Sequence, residues 1–62
     1  MSPETRRLDT EEKWREARTA MIRMGFHEQS EVHAAGYRCC ILIAPDGYEL
    51  RLVYDERDKA PS

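Results

Sequence analysis

The sequence lacks several features that would assign it a chemistry. No apolar run approaches the roughly 20 residues of a membrane-spanning helix, and no apolar segment follows the polar N-terminus as in a signal peptide. The chain has only three glycines, and none belongs to a phosphate-binding or dinucleotide-binding motif. We therefore expect a cytoplasmic protein with no membrane segment, no cofactor and no enzymatic activity.

The sequence also lacks an excess of basic residues. Its 10 Lys and Arg residues are mixed with 12 Asp and Glu residues, which gives a net charge of −2. Proteins that bind nucleic acid usually carry a basic stripe or patch. The one adjacent basic pair, Arg6-Arg7, belongs to a segment expected to lie outside the fold. The charge pattern therefore argues against direct binding of nucleic acid.

Candidate metal ligands and nucleophiles are few. Cys39 and Cys40 are adjacent, and adjacent residues of a strand point to opposite faces of a sheet. They cannot easily bind one tetrahedral zinc ion with His27 and His33, because structural zinc sites take pairs of ligands spaced around a turn. A catalytic cysteine would need a base in reach and an electropositive, partly open site. We expect reduced cysteines, no metal site and no catalytic residue.

The length allows a single domain. A chain of 62 residues buries only about 60% of the surface that its unfolded form exposes, so its stability is marginal. Chains of this size usually need a disulfide, a metal or a partner chain. The charged, aperiodic ends predict a flexible lead at residues 1–8 and a flexible tail at residues 56–62, with the domain at residues 9–55.

The first half of this domain has the periodicity of an amphipathic helix. Asp9 is the predicted N-cap, and Glu12 completes a capping box three residues later. Gly25 suits the left-handed position that ends a helix, with Phe26 folding back on the last turn. The apolar residues recur at helical spacing on one face: Trp14, Ala17, Ala20, Met21 and Met24.

Three strands are predicted after the helix. Residues 27–33 suit a weak, polar edge strand, and residues 37–44 and 48–54 suit stronger strands. Between these two, Pro45-Asp46-Gly47 is a turn sequence in which Gly47 takes a left-handed conformation. The predicted fold class is α+β, with one N-terminal helix packed on a two- to three-stranded antiparallel sheet in the order αβββ.

The central strand is apolar on both of its faces, so its register is ambiguous. A turn of two residues would pair Ile43 with Leu50 and bury Ile41 and Ile43 under the helix. A turn of three residues would pair Leu42 with Leu50 and bury Cys40 and Leu42 instead. Hydrophobic matching favours the first register and turn chemistry favours the second. In either register the helix covers one face and leaves apolar side chains on the other.

An apolar sheet face without a cover indicates a binding surface. The candidate interface residues are those that the first register leaves on the uncovered face, together with one exposed helix residue: Cys40, Leu42, Val53, Arg51 and Ile22. We expect a homodimer, a module that docks on a larger protein or ribonucleoprotein complex, or both. Small, mildly acidic chains without catalytic motifs are typical of inhibitors from phages and mobile elements, including anti-CRISPR proteins.

The succession of a helix, Gly25-Phe26, a strand, a turn and a strand ending in Pro-Asp-Gly resembles the opening of the small HicA-type mRNA-interferase toxins. The resemblance spans residues 21–52, about half the chain, and it implies a fold like that of double-stranded-RNA-binding domains. In that family a Gly-Ser-His-His segment carries the catalytic His, whereas residues 36–39 here read Gly-Tyr-Arg-Cys. The family's final helix and basic excess are also missing. The resemblance therefore implies an RNA-binding or toxin-type module as the alternative function.

Overall fold

A computed structural model describes residues 4–59 and shows one helix packed on a four-stranded mixed sheet. The sheet order is β1-β4-β3-β2, in which β1 runs parallel to β4 and the other neighbours are antiparallel. The elements in chain order are β1 (Glu4–Leu8), α1 (Glu11–Arg23), β2 (His27–Ala34), β3 (Tyr37–Ile43), β4 (Glu49–Asp55) and a 3-10 helix (Glu56–Lys59).

Strand β1 is the element that the sequence prediction missed. Its residues were assigned to a flexible lead, yet they pair with β4 at the edge of the sheet. Leu8 packs against the core, and the Tyr48 hydroxyl donates a hydrogen bond to the Glu4 carboxylate. The α+β class is confirmed, but the predicted sheet of two or three antiparallel strands is wrong in strand number and in direction.

The predicted tail is partly structured as well. Residues 56–59 form the 3-10 helix. The Glu56 N–H at its start donates a hydrogen bond to the Gly36 carbonyl at 2.7 Å. The remaining parts of the predicted lead and tail, residues 1–3 and 60–62, lie outside the described residues.

Because Leu8 anchors β1, its replacement by Ala is expected to lower the free energy of unfolding by about 1–2 kcal/mol. Thr5 lies in the same strand and is exposed, so Thr5→Ala should change stability by no more than about 0.5 kcal/mol. Urea unfolding of both variants measures the difference. A flexible lead would instead give two variants with the stability of the wild type.

The two ends of α1 differ in how well the sequence predicted them. The N-cap is Thr10, whose hydroxyl accepts a hydrogen bond from the Lys13 N–H at 3.0 Å, and the prediction of Asp9 is wrong by one residue. The C-terminal end is confirmed. Gly25 has a φ of +105°, and the Phe26 N–H donates to the Met21 carbonyl at 3.0 Å, which is the hydrogen bond of a Schellman ending.

The turn between β3 and β4 decides the register. The Gly47 N–H donates to the Ala44 carbonyl at 2.8 Å, and the Ala44 N–H donates to the Tyr48 carbonyl at 2.8 Å. Gly47 has a φ of +94°, so the loop contains the three residues Pro-Asp-Gly. Leu42 therefore pairs with Leu50. Turn chemistry selects the second of the two registers that the sequence left open.

The core lies between α1 and the sheet. Trp14 is its largest member, and the indole N–H donates a hydrogen bond to the Leu52 carbonyl at 2.9 Å. Among the described residues the buried set is small: Trp14, Cys40, Leu42, Leu50 and Leu52. A core of this size gives the domain only a small free energy of unfolding.

Candidate binding surface

The sheet has one face under the helix and one face without a cover. Because side chains alternate along a strand, the neighbours of the buried Cys40 and Leu42 point away from the helix. This side of the sheet, which we call the open face, has five apolar residues at its centre: Val32, Cys39, Ile41, Ile43 and Val53. Val32 is 50% exposed, although it is aliphatic.

The residues of the open face form rows across β2, β3 and β4, because paired residues of neighbouring strands share a face. A bulge between Glu28 and Ser30 brings Ser30 onto this face. The rows, each named by its β2 residue, are the His27 row (His27, Ile43, Glu49), the Ser30 row (Ser30, Ile41, Arg51), the Val32 row (Val32, Cys39, Val53) and the Ala34 row (Ala34, Tyr37, Asp55).

Charged and polar groups surround this apolar centre. The Arg51 Nε lies 3.2 Å from the Glu49 carboxylate, so the positive charge of Arg51 in the Ser30 row is balanced by Glu49 in the His27 row. At the other end of the face, a hydrogen bond with Cys39 raises the pKa of Tyr37 above its usual value. Hydrogen bonds from the Arg57 backbone and side chain lower the pKa of Asp55. The rim is therefore mixed in charge.

No second layer covers the open face within residues 4–59. The helix packs on the opposite side, with Trp14 against Leu52 and Leu42, and the short 3-10 helix contacts the end of β4. The molecule measures 39 × 23 × 16 Å. The smallest dimension matches one helix layer on one sheet layer, since packed layers lie about 10 Å apart.

The structure corrects the predicted interface residues. Cys40 and Leu42 have no exposed surface and face the helix, because the three-residue turn places them there. Val53 and Arg51 do lie on the open face. They are paired there with Cys39 and Ile41, which the three-residue turn places on this side of the sheet. Ile22 is 39% exposed, but it belongs to α1 on the opposite side of the sheet. The structure therefore does not bring Ile22 into the same surface.

Val32 is the functional candidate that the sequence analysis missed. It lies in β2, whose other residues are mostly polar and exposed. The signal available in the sequence was one aliphatic residue in a polar edge strand, and a single exposed aliphatic residue is common on protein surfaces. Its importance depends on pairing with Cys39, which places it beside the apolar residues of β3.

A polar cluster on the helix side ties the edge strand β2 to α1. Arg18 forms a two-pronged ion pair with the Glu28 carboxylate, at 2.6 and 2.8 Å, and lies 3.0 Å from a Glu31 oxygen. The ion pair lowers the pKa of Glu28 and raises that of Arg18. His33 lies 3.1 Å from Glu31, and its ring packs edge-on against Trp14 at 5.8 Å. Each carboxylate thus has a partner, so the cluster holds the fold together.

The two adjacent cysteines of β3 lie in different environments. Cys40 is fully buried, and desolvation raises the pKa of its thiol to about 11, so it stays protonated at neutral pH. Cys39 lies on the opposite face of β3 and is partly exposed. Within residues 4–59, no three His, Cys, Asp or Glu side chains are placed to bind a metal ion together.

The surface of the helix also contains a shallow groove that faces away from the sheet. Exposed side chains of both charges line it: Glu12, Arg15, Glu16, Thr19, Ala20 and Arg23. All six belong to one helix, and none is buried. Ligand sites usually combine an apolar cavity with a few convergent polar groups. This groove has no apolar centre, so it is a weaker candidate binding site than the open face.

Comparison with protein-family models, with curated proteins and with solved structures finds no match for this chain. In the part of the chain that the structure describes, no helix is long and apolar enough to cross a membrane. The function must therefore be argued from the surface of the protein itself.

Proposed function

We propose that the protein is a non-catalytic cytoplasmic module that binds another protein chain through its open face. The observation that carries the proposal is the continuous apolar centre of this face, formed by three neighbouring strands and left uncovered by the helix. Contiguous exposed apolar surface on a small protein usually marks an interaction site. A mixed charged rim around such a centre is also the usual anatomy of a protein interface.

The same surface is a poor match for nucleic acid. Recognition of a phosphate backbone requires several unpaired basic side chains along one face. On the open face Arg51 is paired with Glu49, and Arg7, which lies beside Val53 in β1, interacts with the Asp55 carboxylate. The whole chain has a net charge of −2. These charges favour a protein partner over RNA.

The alternative of a HicA-like module has less support. Tyr37, Arg38 and Cys39 occupy the positions that correspond to the catalytic segment of that family, and none of them is a histidine. Within residues 4–59, β4 is followed by a four-residue 3-10 helix where the family has a closing α-helix. The additional strand β1, parallel to β4, also departs from the expected arrangement.

A module with one binding surface and no catalytic group acts by occupying a site on its partner. We place it among small dimeric adaptors and small inhibitors that dock on a larger assembly. Inhibitors from phages and mobile elements, such as anti-CRISPR proteins, belong to the second of these groups. A standard interface takes about 800 Å² from each partner, and the five apolar residues of the open face would lie at its centre.

The proposal is tested by affinity capture from lysate with three baits, each with and without nuclease treatment. The baits are the wild type, Ile41→Glu at the centre of the open face, and Thr19→Glu on the exposed side of the helix. We expect the wild type and Thr19→Glu to retain the same proteins after nuclease treatment, and Ile41→Glu to lose them. Capture that depends on RNA, or that survives Ile41→Glu in a folded bait, would contradict the proposal.

A further inference from the structure

We infer that a second copy of the chain covers the open face, in a symmetric dimer whose two-fold axis runs along β3. The inference rests on the proposed function, because it names the partner of the same surface. It depends on the order of residues in the four rows of the open face, which makes the face complementary to itself in one orientation.

A two-fold axis along β3, between the two stacked sheets, keeps each row at the same height in both copies. It places β3 on β3 of the second copy and β4 on β2 of the second copy. The axis therefore brings together residues of the same row. In the Val32 row, Val53 meets Val32 of the second copy, and the two Cys39 side chains meet at the axis.

The Ser30 and His27 rows are complementary in the same orientation. Ile41 meets its own counterpart at the axis, and Arg51 lies over Ser30 of the second copy, whose hydroxyl can accept a hydrogen bond. In the His27 row, the Glu49 carboxylate lies over the His27 imidazole of the second copy, which can donate to it. In the Ala34 row, at the rim of the face, Tyr37 meets its own counterpart and Asp55 lies over Ala34 of the second copy. No row brings two like charges together, and the five residues of the apolar centre meet apolar residues.

The competing two-fold orientation is much less favourable. An axis across the strands, centred on the Ser30 row, would stack β4 on β4 and place Arg51 directly over Arg51 of the second copy. The same rotation would place Glu49 over Val53. Two guanidinium groups pressed together, and a carboxylate desolvated against an aliphatic side chain, both cost binding free energy. Moving this axis by half a row, between the His27 and Ser30 rows, would place Arg51 over Glu49 of the second copy but would leave the Val32 row uncovered. The axis along β3 covers the whole apolar centre without placing like charges together.

The size of the face suits a dimer. A standard interface takes about 800 Å² from each partner, and the chain exposes 4500 Å² in total. One broad side of a flat molecule of 39 × 23 × 16 Å can supply such an area. The contact is small for a permanent dimer, so we expect association at micromolar concentrations.

Sedimentation equilibrium of the full chain tests the inference first. The wild type and Thr19→Glu are expected to reach twice the monomer mass of 7.3 kDa as the concentration rises through the micromolar range. Ile41→Glu should remain a monomer with an unchanged circular dichroism spectrum. A monomeric wild type at 200 micromolar (roughly two hundred times a dissociation constant of about 1 micromolar), or a dimer that survives Ile41→Glu, would overturn the inference.

A charge exchange then tests the orientation without disturbing the apolar centre. His27→Glu places a carboxylate opposite Glu49 of the second copy at two symmetric contacts, and should weaken the dimer about tenfold. Adding Glu49→Lys to the same chain should restore most of the lost affinity. An effect of His27→Glu that Glu49→Lys does not reverse would contradict the axis along β3.

The two proposals fail in different ways. A monomeric wild type whose capture of a cellular protein still depends on Ile41 would overturn the dimer and leave the proposed binding function in place. If capture and self-association are both unaffected by a folded Ile41→Glu variant, both proposals are wrong.

Discussion

Replacing Leu42 by Glu is expected to unfold the protein, whereas the same replacement at the neighbouring Ile41 is expected to leave it folded. Leu42 has no exposed surface and packs beneath the helix. A carboxylate there would lie in the core without a partner, at a cost of several kcal/mol. Small domains have only about 5 kcal/mol of stability, so the folded state would no longer dominate. Ile41 faces away from the helix and is partly exposed.

The two variants form a matched pair, since the residues are adjacent, similar in size and receive the same charge. Far-UV circular dichroism and thermal unfolding should show a folded, cooperative Ile41→Glu and an unfolded Leu42→Glu. The opposite outcome would mean that the strand has the other register, in which Ile41 and Ile43 lie under the helix.

The second large effect is expected at Trp14. The side chain is 2% exposed, and the indole N–H is bonded to the Leu52 carbonyl. Trp14→Ala should lower the free energy of unfolding by about 3–5 kcal/mol through loss of packing and the cavity that remains. In a core of five buried residues the variant should be largely unfolded at room temperature.

Trp14→Phe serves as the graded control. It keeps an aromatic ring in the core but removes the hydrogen bond to the β4 backbone, and one such bond is worth about 1 kcal/mol. We expect an intermediate midpoint in urea unfolding, followed by circular dichroism because the tryptophan signal is lost. A Trp14→Ala variant as stable as the wild type would contradict the placement of this side chain at the centre of the core.

The parts of the fold that the sequence predicted well are those set by local interactions. The left-handed Gly25 and the returning Phe26 mark the end of the helix within a few residues of chain. The Pro-Asp-Gly turn and the strands β3 and β4 on either side of it follow from turn chemistry and alternation. Each of these features is determined by neighbours in sequence, so the pattern alone could specify it.

The parts that the sequence did not predict depend on distant contacts. Strand β1 is short and polar, and it is held by parallel pairing to β4, more than 40 residues away in the chain. Parallel pairing leaves no hairpin turn as a signal. Strand β3 is also apolar on both faces, so its sequence does not show which side chains lie under the helix. The sequence therefore predicted two alternative sets of interface residues. The hydrogen bonds at Ala44 and Gly47 choose between them.

The central claim is that a second copy of the chain covers the open face. The rate of alkylation of Cys39 at increasing protein concentration tests this claim most directly. Cys39 lies in the middle of the open face, and Cys40 does not compete because it is buried with a pKa of about 11. If a second copy covers the face, the rate per molecule in the wild type should fall as the concentration passes through the micromolar range. In Ile41→Glu the rate should not depend on concentration. A wild-type rate that is the same at every concentration would contradict the claim.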